Sequence, residues 1–233
     1  MKLIRKLHRW ISVLVSIQLF IWIATGLYFN LVSNNWHSTK TFKVDSQNSP
    51  CPTTPVSIKQ LPLPSGTISV QLNANYLQCF YLVHVDKVFH QYQLMNAHAF
   101  DPITAQPLTA LSANEAETLA INSYSGPGNV VSTRLIAGQD SSNGKQQNPV
   151  WRVDFDDDIS TSVYIHHITR QVIRHENTPS RIHKFMYKLH FMDYFNSGSF
   201  SNWLLRIFAM LTLMLTLTGL YWLLHQIKHK QIF

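Results

Sequence analysis

The residues in this chain best suited to chemistry are its histidines, twelve among 233 residues. His8 and His225 each sit where a basic flank meets a long apolar stretch. His183 and His190 precede the second such stretch and stand seven residues apart, so on a helix they share one face. His37 follows the first. Imidazole ligates a metal through one ring nitrogen while an acceptor holds the other, and the other groupings offer less. His84, His90 and His98 fall on adjoining predicted strands, but their spacing fits no compact zinc pattern and no cysteine pair supports them. Asp154, Asp156, Asp157 and Asp158 lack the ligand spacing of an EF-hand and read as an acidic hairpin turn. His166 and His167, neighbours on a predicted strand, point to opposite faces. There is no nucleophile motif, no phosphate-binding glycine loop and no HExxH.

The elements that must position the terminal histidines are two apolar runs. Residues 10–32 hold no charge, and residues 207–224 hold neither charge nor proline. Eighteen helical residues cover ~27 Å, close to the ~30 Å of a bilayer's hydrocarbon. Two transmembrane helices are therefore expected, at 10–32 and 203–224. They resemble each other: Trp10 lies fifteen residues before Thr25-Gly26-Leu27-Tyr28, and Trp203 fifteen before Thr218-Gly219-Leu220-Tyr221. As the helices run in opposite directions, the repeat is inverted across the membrane. Gly26 and Gly219 would admit a neighbouring backbone, and the threonines could bond across the interface.

Charge sets the expected orientation. Flank 1–9 and tail 225–233 carry Lys2, Arg5, Lys6, Arg9, Lys228 and Lys230 without an acid. Short flanks rich in Lys and Arg stay in the cytoplasm, so both termini are read as inside. Residues 33–199 hold equal numbers of basic and acidic residues, so the net charge of +7 belongs to the flanks and Arg206. Basicity placed at membrane ends gives no reason to expect nucleic-acid binding. The first apolar run is too long for a signal-peptide core and no A-x-A-like site follows it, which favours an uncleaved anchor. Arg206 can snorkel to the interface.

Between the spans, residues 33–110 read as strand-rich. A Pro-rich connector comes first, then strands at Ile68–Leu72, Cys79–Val85 and Val88–Leu94, with Asp86-Lys87 as a hairpin turn. Asp101-Pro102 begins a turn after a further strand. Cys51 and Cys79 are the only cysteines. A disulfide is open to them in an oxidising compartment, and so is a pair of unrelated thiols. Residues 111–178 open on a capping box, Ser112-Ala113-Asn114-Glu115. The helix stops at Gly126-Pro127-Gly128, and strands follow at Val130–Ile136, Val150–Phe155, Ile159–His166 and Gln171–His175. Residues 180–195 form an amphipathic helix that can rest on lipid headgroups through Phe185, Met186 and Leu189. The expected fold class is α+β: two antiparallel transmembrane helices, N-in and C-in, flanking an extracytoplasmic domain.

Three places resemble PepSY-associated transmembrane proteins. Leu7-His8-Arg9-Trp10 opens the first span and Thr25-Gly26-Leu27 closes it. Leu111-Ser112-Ala113-Asn114-Glu115-Ala116 is similar to the start of a PepSY helix, with its meander in Trp151–Phe155 and Val163-Tyr164-Ile165. Leu189-His190 precedes the final span. Phe100-Asp101-Pro102-Ile103-Thr104 also resembles the Asp-Pro-x-Thr-Gly turn of such modules. The chain departs from that turn with Ala105 in the glycine position, and again with His166-His167-Ile168-Thr169-Arg170. Members with more spans include inner-membrane reductases of iron–siderophore complexes, which hold haem between helices. The resemblance therefore implies a b-type haem with two histidines per iron. His8 and His190 are the expected iron ligands, and His183 and His225 further cofactor-binding candidates. Each also has a plain reading, as part of a positive flank or a solvated helix face. Two spans cannot enclose a haem, so a homodimer or a larger membrane complex is implied. The expected role is electron transfer across a bacterial inner membrane to an extracytoplasmic acceptor such as ferric-siderophore iron. The competing expectations are an anchored binding or regulatory module, as in protease pro-segments, and an assembly subunit without cofactor.

Overall fold

A computed structural model describes residues 2–44, 51–86, 96–137, 148–195 and 202–228. The protein is an α+β chain in which two apolar helices flank a sheet unit. It divides into a helical unit, Met1–Trp36 with Ile182–Phe233, and a sheet unit, His37–Arg181.

The helical unit holds α1 (Lys2–Leu31), α4 (Trp203–Lys228) and, from Ile182 onward, α3 (Thr178–His190). Stretch His8–Leu31 of α1 and all of α4 are long and apolar enough to cross a membrane. The helices run antiparallel, since His8 at the start of α1 meets Thr218 near the end of α4. Their own contact is narrow. Val15, Met192 and Phe208 are buried with Trp22, Leu205, Leu211 and Leu215 around them, and the Trp22 ring meets Phe208 edge-on at 5.2 Å. Outside that seam many apolar side chains are exposed, among them Phe20, Leu27, Met210 and Tyr221. The basic flank 1–9 is not separate from the first helix but forms its opening turns from Lys2. The amphipathic helix expected over 180–195 is α3, which stops at His190, with Met192 in the left-handed region at φ 53. Asn202 caps α4, its Oδ1 accepting from the Leu205 amide.

The sheet unit contains two antiparallel sheets. The first has the order β1 (Ser69–Ala74), β2 (Cys79–His84), β3 (Ala97–Phe100). Strand β2 lies in the middle and is covered on both sides, as its unbroken apolar run requires. Tyr81 and Val83 pack with Leu61 and Phe100 on one face, and Phe80 and Leu82 with Ala97, Ala99 and Ile168 on the other. Cys51 and Cys79 form a disulfide with Cα atoms 5.2 Å apart. The returning strand expected at Val88–Leu94 lies outside the described residues.

The second sheet runs β4 (Val130–Ile136), β5 (Val150–Phe155), β6 (Ser162–His166), β7 (Val172–Glu176). Helix α2 (Ala113–Ser123) covers one face, burying Ala116, Leu119 and Ala120 against Val153, Phe155, Val163 and Ile165. The capping box forms as read: Ser112 Oγ accepts from the Glu115 amide, and Glu115 Oε2 accepts from the Ser112 amide at 2.9 Å. At the other end of α2, the Tyr124 hydroxyl donates to Asp157 at 2.7 Å and accepts from the Gly128 amide. Burial first, then the Asp157 carboxylate, pushes that phenol up to about 12.

Two turns share one design. After β3, Asp101 Oδ1 accepts from the amides of Ile103 and Thr104 at 2.8 and 2.7 Å. The Ala105 amide then donates to the Asp101 carbonyl, and the Asp101 amide to Gln106. After β6, His166 Nδ1 accepts from the amides of Ile168 and Thr169 at 3.2 and 3.1 Å. The Arg170 amide donates to the His166 carbonyl and the His166 amide to Gln171. The fifth residue of each turn, Ala105 (φ 59) or Arg170 (φ 57), is left-handed. His167 therefore lies in a turn rather than opposite His166 on a strand, and its Nδ1 accepts from Trp151 Nε1 at 3.1 Å.

Candidate functional site

Two imidazole seats stand at opposite ends of the helical unit. At one, the final residue of α3, His190, lies over Thr25 and Gly26 of α1. His190 Nδ1 is 2.9 Å from Thr25 Oγ1, and a Cβ built on Gly26 would come within 3.8 Å of His190 Cε1. At the other, His8 of α1 lies over Thr218 and Gly219 of α4, with the same two separations, 2.9 and 3.8 Å. The repeated Thr-Gly is thus used twice in the same way, each copy receiving a histidine from another helix.

The hydroxyl hydrogens fix the tautomers. Thr25 Oγ1 donates to the Ile21 carbonyl at 2.7 Å, and Thr218 Oγ1 to the Met214 carbonyl at 2.8 Å. This back-bonding to the preceding turn uses the one hydrogen a threonine has. Each oxygen is left to accept, so each histidine donates its Nδ1–H. In the neutral ring the lone pair then sits on Nε2, the nitrogen open to a metal. Neither Nε2 has a hydrogen-bond partner among the described residues.

Seventeen residues of α1 separate His8 from Thr25, about 25 Å along the axis at 1.5 Å per residue. One chain therefore keeps His8 and His190 apart and cannot set both on one metal. Rings crowd the His190 seat: Trp22 at 6.2 Å, Phe29 edge-on at 5.5 Å and Phe191 at 5.1 Å. His183 stands at the same end of the unit, its ring 5.3 Å from Phe29 and 6.1 Å from Tyr28. His225 lies seven residues past Thr218, with its ring 6.4 Å from Tyr221. His37 falls in the turn at 34–37, in the sheet unit.

One reading of the repeat needs correction. Gly26 and Gly219 were expected to admit a neighbouring backbone, but among the described residues the atom near each is a histidine carbon. The threonines do bond across to another helix, and their partners are those histidines. The threonine–histidine pairing was missed because it joins residues 165 and 210 positions apart. Its signal was present, in that Thr-Gly recurs in register with the tryptophans and a histidine stands at each opposite end.

In the sheet unit the remaining candidates do not assemble a metal site. His84 pairs with Ala97, which places His98 on the other face of the first sheet, and His90 lies outside the described residues. Asp154 is tied to Arg152 at 2.7 Å and to Ser162. Asp157 accepts from the Ile159 and Thr161 amides in the β5–β6 turn. No group of three or more metal-ligating side chains occurs among the described residues. No family model matches the chain, and neither does any curated protein or solved structure.

Proposed function

We propose that this protein is a membrane electron-transfer component of the PepSY-associated type, binding b-type haem between the helices of a homodimer or larger complex. The observation that carries the reading is the pair of Nδ1-tethered histidines with open Nε2 atoms. A neutral imidazole, held by its second nitrogen against an acceptor, is the donor set that iron in a haem takes. His8 would serve one end of the bundle and His190 the other, each joined by the equivalent histidine of a second copy. His183 and His225 stand near enough in sequence and along their helices to contribute to the same two ends. Haem there would supply a one-electron iron couple. The chain's own part is to fix ring orientation through Thr25 and Thr218, and to line the site with Trp22, Phe29 and Phe208.

The orientation proposed places both termini in the cytoplasm and the sheet unit outside the inner membrane. Basic flanks and a disulfide in the central segment support it. The paired Asp101 and His166 turns support the PepSY-type reading of the sheet unit. The acceptor in this scheme is extracytoplasmic, with ferric chelates as the class named by the resemblance.

The test is a dithionite-reduced minus oxidised spectrum of protein purified in mild detergent after expression with added haem. A b-type α-band is expected, diminished by His8→Ala and by His190→Ala separately. A spectrum with no such band defeats the haem reading and leaves the second one, an anchored binding or regulatory module. That reading draws on the sheet unit alone, whose cores and disulfide lie within it.

A further inference from the structure

The turn after β6 does more than reverse the chain. Ile168 inserts into the apolar cluster on the first sheet. The Arg170 carbonyl accepts from Asn75 Nδ2 of the β1–β2 hairpin at 2.9 Å. The Arg170 guanidinium, 2 % exposed, reaches Glu115 at 3.0 Å and the Thr109 carbonyl at 2.7 Å. One turn of the second sheet therefore ties together the first sheet, the linker and the start of α2.

What closes that turn is a lone pair. In the sister turn the acceptor is the Asp101 carboxylate, which backbone bonds from Thr104 and Ile103 hold below the usual carboxylate range. Here it is His166 Nδ1, buried at 2 % exposure, with its Nε2 hydrogen unpartnered among the described residues. A protonated imidazole has no lone pair. Its Nδ1–H would face two backbone N–H groups, and both bonds would become repulsions.

We propose that His166 makes the β6–β7 turn an acid-sensitive latch between the two sheets, closed at neutral pH and opened by protonation. The titratable and charged groups facing it are His84 from β2 and His167 in its own turn. Arg170 follows in the same turn, bonded to Glu115 of α2. Among the described residues no carboxylate bonds the ring to offset a charge placed there. Burial, then His167 and His84, holds the ring down to about 4, so the latch stays shut until the medium is well below neutral. The open nitrogen is not a metal seat. With Nδ1 accepting, Nε2 carries the hydrogen, the reverse of His8 and His190.

The molecule carries its own control, because the Asp101 turn has the same backbone bonds and an acceptor that survives mild acid. Amide hydrogen exchange on the full chain in detergent, corrected for intrinsic rates, is read from pH 7.5 to 4.5. Protection at Ile168 and Thr169 should fall with pH, by up to about tenfold for each unit once opening is proton-coupled. Ile103 and Thr104 should hold. His166→Asp, which copies the sister turn, and His166→Asn, which supplies a non-titrating acceptor, should each flatten the response. Equal pH dependence in both turns, or a response that persists in a folded His166→Asp or His166→Asn protein, overturns the proposal. None of these readouts depends on haem.

Discussion

A threonine whose hydroxyl hydrogen already belongs to its own helix can only accept from a neighbour, and Thr25 and Thr218 both stand in that position. Replacing either by valine keeps the shape and removes the acceptor. Thr25→Val should free the His190 ring to exchange tautomers, which 15N spectra of the ring nitrogens would report as a loss of the pure Nδ1–H form. Thr218→Val should do the same to His8 and leave His190 alone. If both rings keep their tautomer in the variants, the assignment of donor and acceptor given above is wrong. The left-handed residues allow a paired test. An L-residue there costs roughly 1–2 kcal/mol that glycine does not incur. Ala105→Gly should therefore raise stability by about 0.5–1 kcal/mol after glycine's extra chain entropy is subtracted. At the equivalent Arg170 the same change strips the bonds to Glu115 and Thr109 and should lower stability by about 2–4 kcal/mol. Chemical denaturation of the two variants settles whether the signs are opposite.

At the scale of elements, the first sheet relies on a covalent tie. Reduction of Cys51–Cys79, 28 residues apart, should cost about 3–4 kcal/mol by loop entropy, visible as a lower midpoint in reductant with the α2 sheet less affected. Much of this architecture was legible beforehand. Ser112 and Glu115 announced α2, Gly126-Pro127-Gly128 its end, and Cys79–Val85 a strand, though not that β2 is buried on both faces. The terminal helices followed from length and lack of charge. What stayed hidden was tertiary. The Asp-Pro-x-Thr pattern at 101 was visible, yet His166-His167-Ile168-Thr169-Arg170 looked like a departure from it. An imidazole nitrogen replaces a carboxylate oxygen there with the same two bonds, and a list of residue types does not display that equivalence. The histidine seats were hidden for a related reason. Sequence placed His8 and His190 at helix boundaries, but only the antiparallel crossing shows that each meets the other copy of Thr-Gly.

For the whole molecule, acid should act in two stages. His166 and His175 are both buried and uncharged, with burial the leading cause, and each is lowered to about 4. Ser123 Oγ donates to the Ala120 carbonyl and so accepts from His175 Nε2, while Lys43 adds to the penalty for charging that ring. Each folded value lies below the unfolded one of about 6.5. Their contribution is therefore intact above that pH and lost as the pH falls toward 4, by about 3 kcal/mol apiece. Asp101, Glu115, Asp154 and Asp157 are lowered as well, so their stabilisation fades only below the ordinary carboxylate range. Thermal melts across pH 7.5 to 3 should show a decline above pH 4.5 that His175→Gln reduces. A melting temperature flat down to pH 4.5 would contradict the assignment of both histidines as neutral.

The two imidazole seats also restrict how the first helix can move. It is pinned near one end by its own histidine reaching α4, and near the other by the histidine that closes α3. A slide of one residue, 1.5 Å along the axis, would stretch both 2.9 Å bonds at once. A piston-like shift of one helix against its neighbour would thus strain two hydrogen bonds, worth about 1–3 kcal/mol together. Under the electron-transfer role proposed above, these two bonds would hold the helices in register while charge, not displacement, crosses them.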